Sequence, residues 1–219
     1  MITFVAVKTG TKYSEEYLFK LAAGIMKHCP VPFELLCITD RPSDVPAVWQ
    51  IYDCSADGLD TWWAKMLIFA PELPARGRVI FLDLDTIILG DLGPLCALKP
   101  IFGICENWQK IYGHPTWPCK YGSCVMSFEA GSLVKEIWEP FNLDREDYIR
   151  NAGKFGDQFT IGELYPDATL LNRELPGFFV HLKKDLYFKP PKKDARVLIF
   201  GGKPKPHECD QKWVRELWQ

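Results

Sequence analysis

The first ninety residues alternate between short apolar runs and segments of helical periodicity. Apolar runs as long as a buried strand occur at residues 2–7, 33–39, 48–51 and 78–82. Between them, apolar positions recur with a helical period at 17–25, and residues 62–69 predict a second helix that ends before Pro71. Continuous apolar strands that alternate with helices predict a parallel sheet covered by helices on both faces.

The pattern after residue 90 is less regular. It predicts strands at 101–105, 123–128 and 197–200, and helices at 131–138, 156–164 and 210–218. The first two of these strands are separated by residues 108–117, called the aromatic loop, which contain Trp108, Tyr112, His114, Pro115 and Trp117. No repeat and no low-complexity linker divides the sequence. One α/β domain over residues 1–219 is therefore the simplest organisation.

Composition and charge exclude several classes of protein. Hydrophobic residues make up 47% of the 219 residues and charged residues 25%, which excludes a disordered, collagen-like or coiled-coil chain. The net charge of -2 gives the chain as a whole no strong attraction for nucleic acid or an anionic membrane. Charge is uneven, however, because residues 183–205, called the basic segment, contain eight Lys or Arg residues and two Asp residues. This segment predicts an anionic ligand.

The eight cysteines are expected to be free thiols. No Cys-x-x-Cys pair occurs, and several cysteines lie in apolar runs, where a thiol packs as a small hydrophobic group. The amino terminus lacks the basic region of a signal peptide, and no apolar run approaches the roughly 20 residues of a membrane span. We therefore expect a cytoplasmic protein with no membrane span.

Two acidic residues follow a near-continuous apolar strand. Asp83 and Asp85 come directly after residues 78–82, and residues two apart on a strand point to the same face. Like charges so placed repel unless a cation or water separates them, and ligands of parallel sheets bind at the carboxyl ends of the strands. Carboxylates combined with substrate phosphates are the usual ligands of Mg²⁺. The pair therefore predicts a divalent metal site for a phosphate-bearing substrate.

Two other interpretations of Asp83 and Asp85 stay open. In the first, they belong to a solvated turn that caps a helix at Asp85 and Thr86. In the second, Asp-x-Asp-Thr opens a phosphatase of the haloacid dehalogenase type, with the first Asp as nucleophile. That motif normally follows the first strand and continues with Gly-Thr, whereas here two strand–helix units precede it and Ile87 follows Thr86. The phosphatase interpretation is therefore the weaker one.

Six short sequence blocks lie between Val5 and His207, and their order along the chain supports a resemblance to a known family. They are Trp63-Ala64-Lys65-Met66-Leu67, Arg78 to Asp85, Ile88-Leu89-Gly90-Asp91-Leu92, Gly122-Ser123-Cys124-Val125-Met126, Gly156-Asp157-Gln158 and Phe200-Gly201-Gly202-Lys203-Pro204-Lys205-Pro206. Their order and spacing resemble those of GT-A-fold glycosyltransferases. They are most similar to family 8, the group that includes glycogenin and bacterial galactosyltransferases.

The resemblance implies a fold, a reaction and a set of site residues. The fold is α/β with a mixed, mostly parallel sheet flanked by helices, divided into a nucleotide-binding half at 1–90 and an acceptor and sugar half at 91–219. The reaction is transfer of a sugar from a nucleoside diphosphate donor, with UDP expected and with retention of anomeric configuration. Asp83 and Asp85 resemble the pair that binds Mn²⁺ or Mg²⁺. Asp157 and Gln158 match catalytic residues beside the reacting sugar carbon, and the expected donor-binding residues are Val7, Thr9, Tyr13, Lys65, Asp83, Gly202 and Lys205.

One position departs from the family pattern. Family members begin the last block with a metal-binding His, where this chain has Ile199, or Gly201 if the alignment shifts by two residues. Neither side chain binds a metal. His207, just past the block, is a candidate for the third metal ligand, and weaker metal binding or a water in that position are the alternatives. Purely structural roles also stay open for four residues, namely surface charges at Lys65 and Lys205, a packing ring at Tyr13 and a helix N-cap at Asp157.

The sequence does not name the acceptor. A nucleic acid with modified bases is the alternative within the same class, because the basic segment would contact phosphates and the aromatic loop would stack on bases. A non-catalytic scaffold that binds nucleotide sugars is the alternative outside that class, and it is motivated by the missing His. Hydrolysis of the donor by the purified protein separates an enzyme from a scaffold.

Overall fold

The computed structural model describes residues 1–114 and 116–218, so Pro115 of the aromatic loop and Gln219 lie outside the described residues. The strands are β1 (Ile2–Lys8), β2 (Phe33–Thr39), β3 (Gln50–Asp53), β4 (Arg78–Leu82), β5 (Thr86–Ile88), β6 (Phe102–Glu106), β7 (Tyr121–Glu129), β8 (Thr169–Leu170), β9 (Phe179–His181) and β10 (Val197–Ile199). The helices are α1 (Glu15–His28), α2 (Gly93–Ala97), α3 (Trp108–Ile111), α4 (Glu139–Leu143), α5 (Arg145–Ala152), α6 (Asp157–Leu164), α7 (Leu171–Glu174) and α8 (Lys212–Leu217).

Seven strands form the main sheet in the order β3-β2-β1-β4-β7-β6-β8. β1 is parallel to both β2 and β4, and β3 is parallel to β2. β7 is antiparallel to β4 and β6, so β6 runs in the same direction as β4, and β8 is parallel to β6. The predicted α/β class with a mixed, mostly parallel sheet is confirmed.

A second sheet of three strands, in the order β5-β10-β9, joins distant parts of the chain. β10 pairs antiparallel with β5, and Ile199 lies opposite Thr86. β10 also pairs parallel with β9, and Ile199 lies opposite His181. The register brings the segment that follows β10, with Gly201 and Gly202, to the turn that precedes β5.

The main sheet separates two hydrophobic clusters. Phe4 and Ala6 of β1 belong to the cluster that contains α1, whereas Val5 belongs to the cluster that contains residues 61–69. Successive side chains of a strand point to opposite faces, so a strand buried on both faces is apolar at nearly every position. This explains why β1, β2 and β4 are continuous apolar runs. All eight cysteines are free thiols in the structure.

The structure differs from the predicted elements in two respects. The predicted helix at 62–69 is a 3₁₀ helix over Thr61–Phe69, and the helix predicted at 131–138 is a π-helical turn over Val134–Trp138 that continues into α4. Six of the nine residues in the first segment are buried, so no polar face set its period. Several short elements were not predicted, among them the strands β5, β8 and β9 and the helix α3 within the aromatic loop.

Candidate functional site

The turn between β4 and β5 carries the two predicted acidic residues at one edge of the main sheet. Asp83 N donates to the carbonyl of Cys124 at 2.9 Å, and Thr86 N donates to the carbonyl of Asp83 at 3.1 Å. Thr86 begins β5, so the interpretation of Asp85 and Thr86 as a helix cap is wrong. The two carboxylates lie in a tight turn beyond the strand and not on the strand itself.

A cavity of about 300 Å³, called the first cavity, opens beside this turn. It brings together all seven residues expected to bind the donor, although they come from separate parts of the chain. These residues are Val7, Thr9, Tyr13, Lys65, Asp83, Gly202 and Lys205, and Asp85 lies with them. Lys12, Thr61 and Trp62 also line the first cavity, and no sequence motif indicated them.

Each acidic residue of the turn forms an ion pair with a lysine. Lys65 Nζ lies 2.8 Å from Asp83 Oδ1, and Lys205 Nζ pairs with Asp85 Oδ2. Only 13% of each lysine side chain is exposed, so neither is a solvated surface charge. Burial and the charge of Asp83 raise the pKa of Asp85, and Lys205 opposes that rise. Burial would lower the pKa of Lys65, but the charges of Asp157 and Asp83 raise it above its ordinary value.

The turn that follows β1 is fixed by residues from later in the chain. Gly10 N donates to both carboxylate oxygens of Asp40, at 2.9 and 3.1 Å. Thr9 Oγ1 donates to the carbonyl of Thr61 at 3.1 Å. Thr61 has a φ of 51°, which is rare for a β-branched residue and indicates local strain. These contacts hold Thr9 at the wall of the first cavity.

Tyr13 packs in the core and also lines the first cavity. The centroid of its ring lies 4.8 Å from that of Tyr17, and Lys205 Nζ lies 5.6 Å from the Tyr13 centroid. The Tyr13 hydroxyl lies 3.5 Å from Asp85 Oδ2, and burial raises the pKa of Tyr13 above its ordinary value. Tyr13 therefore both packs against the core and lines the first cavity.

A second cavity of about 320 Å³ adjoins the first. The two cavities share Lys65, Asp83, Phe200 and Gly201, which form the boundary between them. Gln158, the second residue of α6, lines the second cavity only. The boundary therefore lies between the residues that are expected to contact the diphosphate and Gln158, which is expected to lie beside the sugar.

Asp157 is buried behind Lys65 and lines neither cavity. Its Oδ2 lies 3.9 Å from Lys65 Nζ and has no hydrogen bond within the part of the chain that the structure describes. Burial raises the pKa of Asp157, and the charge of Lys65 opposes that rise. The N-cap of α6 is Gly156, so the interpretation of Asp157 as an N-cap is wrong.

Asn107 orients Gln158, and the sequence motifs did not indicate it. Asn107 Nδ2 donates to Gln158 Oε1 at 3.3 Å and to the carbonyl of Tyr121 at 3.0 Å. The Gln158 oxygen accepts this bond, and its amide NH₂ group donates to no residue that the structure describes, so this group can donate to a ligand. Asn107 directly follows β6, which runs parallel to β4. The strand-end rule that selected Asp83 would therefore also have selected Asn107.

The predicted third metal ligand lies elsewhere. His207 Nδ1 shares a short hydrogen bond with the hydroxyl of Tyr17, and its ring packs edge-on against the Tyr17 ring. Within residues 1–114 and 116–218, no three His, Cys, Asp or Glu side chains lie together as metal ligands. Asp83 and Asp85 are each already paired with an ammonium group, and no third protein ligand lies beside them among the described residues. This donor set therefore does not fit a Mn²⁺ or Mg²⁺ ion held by the protein itself.

His181 on β9 lies against Gly201, and no sequence motif indicated it. A Cβ atom added at Gly201 would collide with His181 Nε2, so the imidazole fills the space of a side chain at residue 201. His181 Nδ1 accepts hydrogen bonds from the backbone N–H groups of Lys183 and Lys184, at 3.2 and 3.3 Å. Burial and the charge of Lys183 lower the pKa of His181 to about 4, so the ring is neutral at pH 7.

The basic segment divides into two parts. Lys183 and Lys184 line the second cavity, whereas Lys192 and Lys193 are exposed and line neither cavity described above. Lys183 Nζ donates to the carbonyl of Lys203 at 2.8 Å and lies 3.5 Å from the position of a Cβ at Gly202. Burial and the charge of Lys205 lower the pKa of Lys183. Lys183 is therefore part of the cavity wall, not of a separate surface patch.

Solved structures of two glycosyltransferases match nearly the whole chain. The glycosyltransferase GlyE of Streptococcus pneumoniae TIGR4 matches 99% of this chain with a TM-score of 0.69 and 15% identity, and this chain spans 59% of the GlyE chain. An active-site mutant of LgtC matches 98% of this chain, and 94% of its own, with a TM-score of 0.69 and 14% identity. The chain has the GT-A fold.

A complex of the galactosyltransferase LgtC with donor and acceptor sugar analogues gives the same result. It matches 99% of this chain and 95% of its own, with a TM-score of 0.66 and 14% identity. The expected resemblance to family 8 glycosyltransferases is thus confirmed as a similarity of fold. No family model and no curated protein sequence matches the chain. No described helix has both the length and the hydropathy that a membrane span requires.

Proposed function

We propose that this protein is a glycosyltransferase that moves a sugar from a nucleoside diphosphate sugar, with UDP as the expected nucleotide, to an acceptor hydroxyl or amine. One observation carries the proposal. In a GT-A fold, all seven residues expected to bind the donor line a single cavity of about 300 Å³. A second cavity of similar size adjoins it at Lys65 and Asp83, which leaves room for a sugar and an acceptor.

The position of each residue supports a division of roles. Val7, Thr9 and Tyr13 line the first cavity near β1 and would contact the nucleoside. Gly202 and Lys205 would contact the diphosphate. Asp83 and Lys65 lie at the boundary, where the transferred sugar would sit, and Gln158 would contact the sugar from the second cavity. Asp157, expected as a catalytic residue, lines neither cavity and is better supported as the residue that positions Lys65.

The reaction requires charge neutralisation on the leaving group. The bond between the anomeric carbon and the diphosphate oxygen breaks, and its electron pair leaves on the diphosphate. A bond to the acceptor heteroatom forms, and the proton of the acceptor is released. Preorganised cations beside the diphosphate stabilise the charge that develops there. Lys205, which lines the first cavity, would fill this role. The residues of the turn do not fit the expected Mn²⁺ or Mg²⁺.

The donor cavity draws on both predicted halves of the chain. Residues before 90 supply the nucleoside contacts and the boundary residues, and residues after 90 supply Gly202, Lys205 and most of the second cavity. We therefore propose one catalytic domain rather than two separable halves. Retention of anomeric configuration and a cytoplasmic location stay predictions of the sequence.

A nucleic-acid acceptor is the second candidate, and one observation favours it. Trp108 and Trp117 of the aromatic loop line the second cavity together with Lys183 and Lys184. Aromatic rings and ammonium groups on one surface are the pattern that binds bases and phosphates. A non-catalytic scaffold that binds nucleotide sugars is the remaining alternative.

Release of UDP from UDP-linked sugars tests the proposal. The purified protein is incubated with UDP-glucose, UDP-galactose and UDP-N-acetylglucosamine, and free UDP is measured with and without glycan or DNA acceptors. We expect slow hydrolysis of at least one donor, and loss of that hydrolysis in Asp83→Asn but not in Lys192→Ala. Binding of a donor with no hydrolysis or transfer would support the scaffold. Absence of donor binding would overturn the proposal.

A further inference from the structure

The two acidic residues of the turn already have cationic partners from the protein. Lys65 pairs with Asp83 and Lys205 pairs with Asp85, and the side chain of Asp85 is only 8% exposed. Ile199, at the position of the family His, is a buried apolar residue of β10. A divalent ion at this turn would have to displace two ammonium groups. Among the described residues, Asp83 and Asp85 are the only side chains placed to bind it.

The imidazole at this site presents a proton and not a lone pair. His181 Nδ1 accepts hydrogen bonds from two backbone N–H groups, so it is unprotonated. On the basis of these bonds, the proton of the neutral ring is assigned to Nε2, the nitrogen that lies against Gly201. A protonated ring nitrogen cannot bind a metal. It can donate a hydrogen bond to a phosphate or sugar oxygen in the second cavity.

The charges that line the two cavities favour an anion of about the charge of a diphosphate. The lining residues include five lysines, namely Lys12, Lys65, Lys183, Lys184 and Lys205, and two aspartates, Asp83 and Asp85. This leaves a positive charge in excess, whereas each phosphate of a nucleoside diphosphate sugar carries a negative charge. Gly202 adds a stretch of backbone without a side chain, which faces Lys183 Nζ and which phosphate oxygens can approach closely.

We propose that this protein binds the diphosphate of its donor without a divalent cation. Lys205 and Lys183 neutralise the phosphates, and His181 Nε2–H donates to an oxygen of the bound donor. Asp83 and Asp85 hold the two buried lysines in place. The inference rests on the proposed function, because it takes a nucleoside diphosphate as the ligand.

Calorimetry with UDP tests the inference, with the purified protein in EDTA and again in Mn²⁺. We expect the two dissociation constants to agree within about threefold, and the Mn²⁺ electron spin resonance spectrum with protein alone to remain that of the free ion. Mn²⁺ that tightens UDP binding about tenfold or more, or a bound-ion spectrum, would overturn the inference and keep the proposed function. Absence of UDP binding in both buffers would overturn both.

Lysine variants measured in EDTA identify the groups that bind. Lys183→Ala and Lys205→Ala should each weaken UDP binding about tenfold, as expected for a charge-assisted contact. Lys192→Ala, an exposed residue of the same basic segment, is the matched control and should bind as the wild type does. Because Lys205→Ala leaves Asp85 unpaired and threatens folding, Lys205→Arg is included and should retain most of the affinity. Equal UDP affinity in Lys183→Ala, Lys205→Ala and the control would contradict the inference.

Discussion

Lys65 Nζ lies 2.8 Å from Asp83 Oδ1 and 3.9 Å from Asp157 Oδ2, so one buried ammonium group holds two carboxylates from distant parts of the chain. The same nitrogen lies 3.4 Å from both the carbonyl oxygen and the hydroxyl oxygen of Ser123. These contacts connect the turn after β4, the strand β7 and the start of α6. Lys65 is therefore a structural centre of the candidate site as well as part of its wall.

Replacement of this lysine by an apolar residue should destabilise the fold. Lys65→Met leaves the buried carboxylate of Asp157 and the partly exposed carboxylate of Asp83 without this partner. Breaking such a buried ion pair costs about 3–5 kcal/mol of unfolding free energy. The unfolding free energy that Lys65→Met loses should become smaller as the pH falls. Burial raises the pKa of Asp157 in the folded state. The cost of burying its unpaired charge is therefore fully present above that raised pKa, and it is absent below the pKa of Asp157 in the unfolded chain. Urea unfolding at pH 7 and pH 4.5 measures both effects. Lys135→Met, at an exposed position, is the control, and equal stability of the two variants would contradict the prediction.

Addition of one methyl group at Gly201 should destabilise the protein because of His181. The added Cβ in Gly201→Ala collides with Nε2, and overpacking of this kind costs about 1–3 kcal/mol. His181→Ala in the same chain should remove most of that loss, which a double-mutant cycle by urea unfolding measures. Gly122→Ala is the matched control, because its Cβ would meet no atom closer than 3.7 Å. Additive losses in the cycle would show that the two positions do not interact.

Loss of Asn107 should reduce transfer more than it reduces donor binding. Asn107→Ala removes the donor to Gln158 Oε1, so the Gln158 amide is free to rotate in the second cavity. We expect UDP affinity to change by less than about threefold and turnover to fall about tenfold or more. Calorimetry and UDP release measure the two quantities. A parallel loss of binding and turnover would indicate a general structural defect.

Charge removal in the basic segment should separate donor contacts from acceptor contacts. Lys192→Gln with Lys193→Gln changes exposed residues only and should leave UDP binding unchanged, whereas Lys183→Gln with Lys184→Gln should weaken it. If nucleic acid is the acceptor, the affinity of the wild type for DNA or RNA should fall steeply with salt. Fluorescence anisotropy over a salt titration checks this. Absence of salt-sensitive binding would remove the nucleic-acid acceptor.

The stability of the protein should decrease below pH 6.5 through His181. Burial and the charge of Lys183 lower its pKa to about 4, with Asp185 opposing and Lys184 adding to the shift. Between pH 6.5 and pH 4, the imidazole therefore takes up a proton in the unfolded chain but not in the folded protein. Stability from the neutral ring is full above pH 6.5 and is lost toward pH 4, by up to about 3 kcal/mol. Urea unfolding of the wild type and His181→Asn over this range measures the difference, and identical pH profiles would contradict the prediction.

The sequence alone predicted the elements that are longest and most deeply buried. The residues of β1, β2 and β4 are apolar at nearly every position because both faces of the sheet are covered, and α1 shows a clear helical period. Asp83 was found because it follows such a strand at the edge where ligands bind in α/β proteins. These are local properties, and a local pattern is sufficient to detect them.

The order of the short motifs along the chain also identified most residues of the first cavity. Lys65, Gly202 and Lys205 were selected by their place in blocks that resemble family 8, and the structure brings them together with Asp83. His207 was the candidate to replace the missing family His because it lies just past the last block, and the structure pairs it with Tyr17 instead. Sequence proximity to a motif did not place that side chain in the site.

Only the tertiary structure decided which charges meet and which atoms face the cavities. Lys205 and Asp85 are 120 residues apart, and their contact depends on the pairing of β10 with β5. His181 reaches Gly201 because β9 lies beside β10. The sequence predicted β10, but it showed neither the three-residue strand β9 nor the pairing of the two strands. A local sequence pattern does not show which distant strands pair, because that choice depends on packing over the whole sheet.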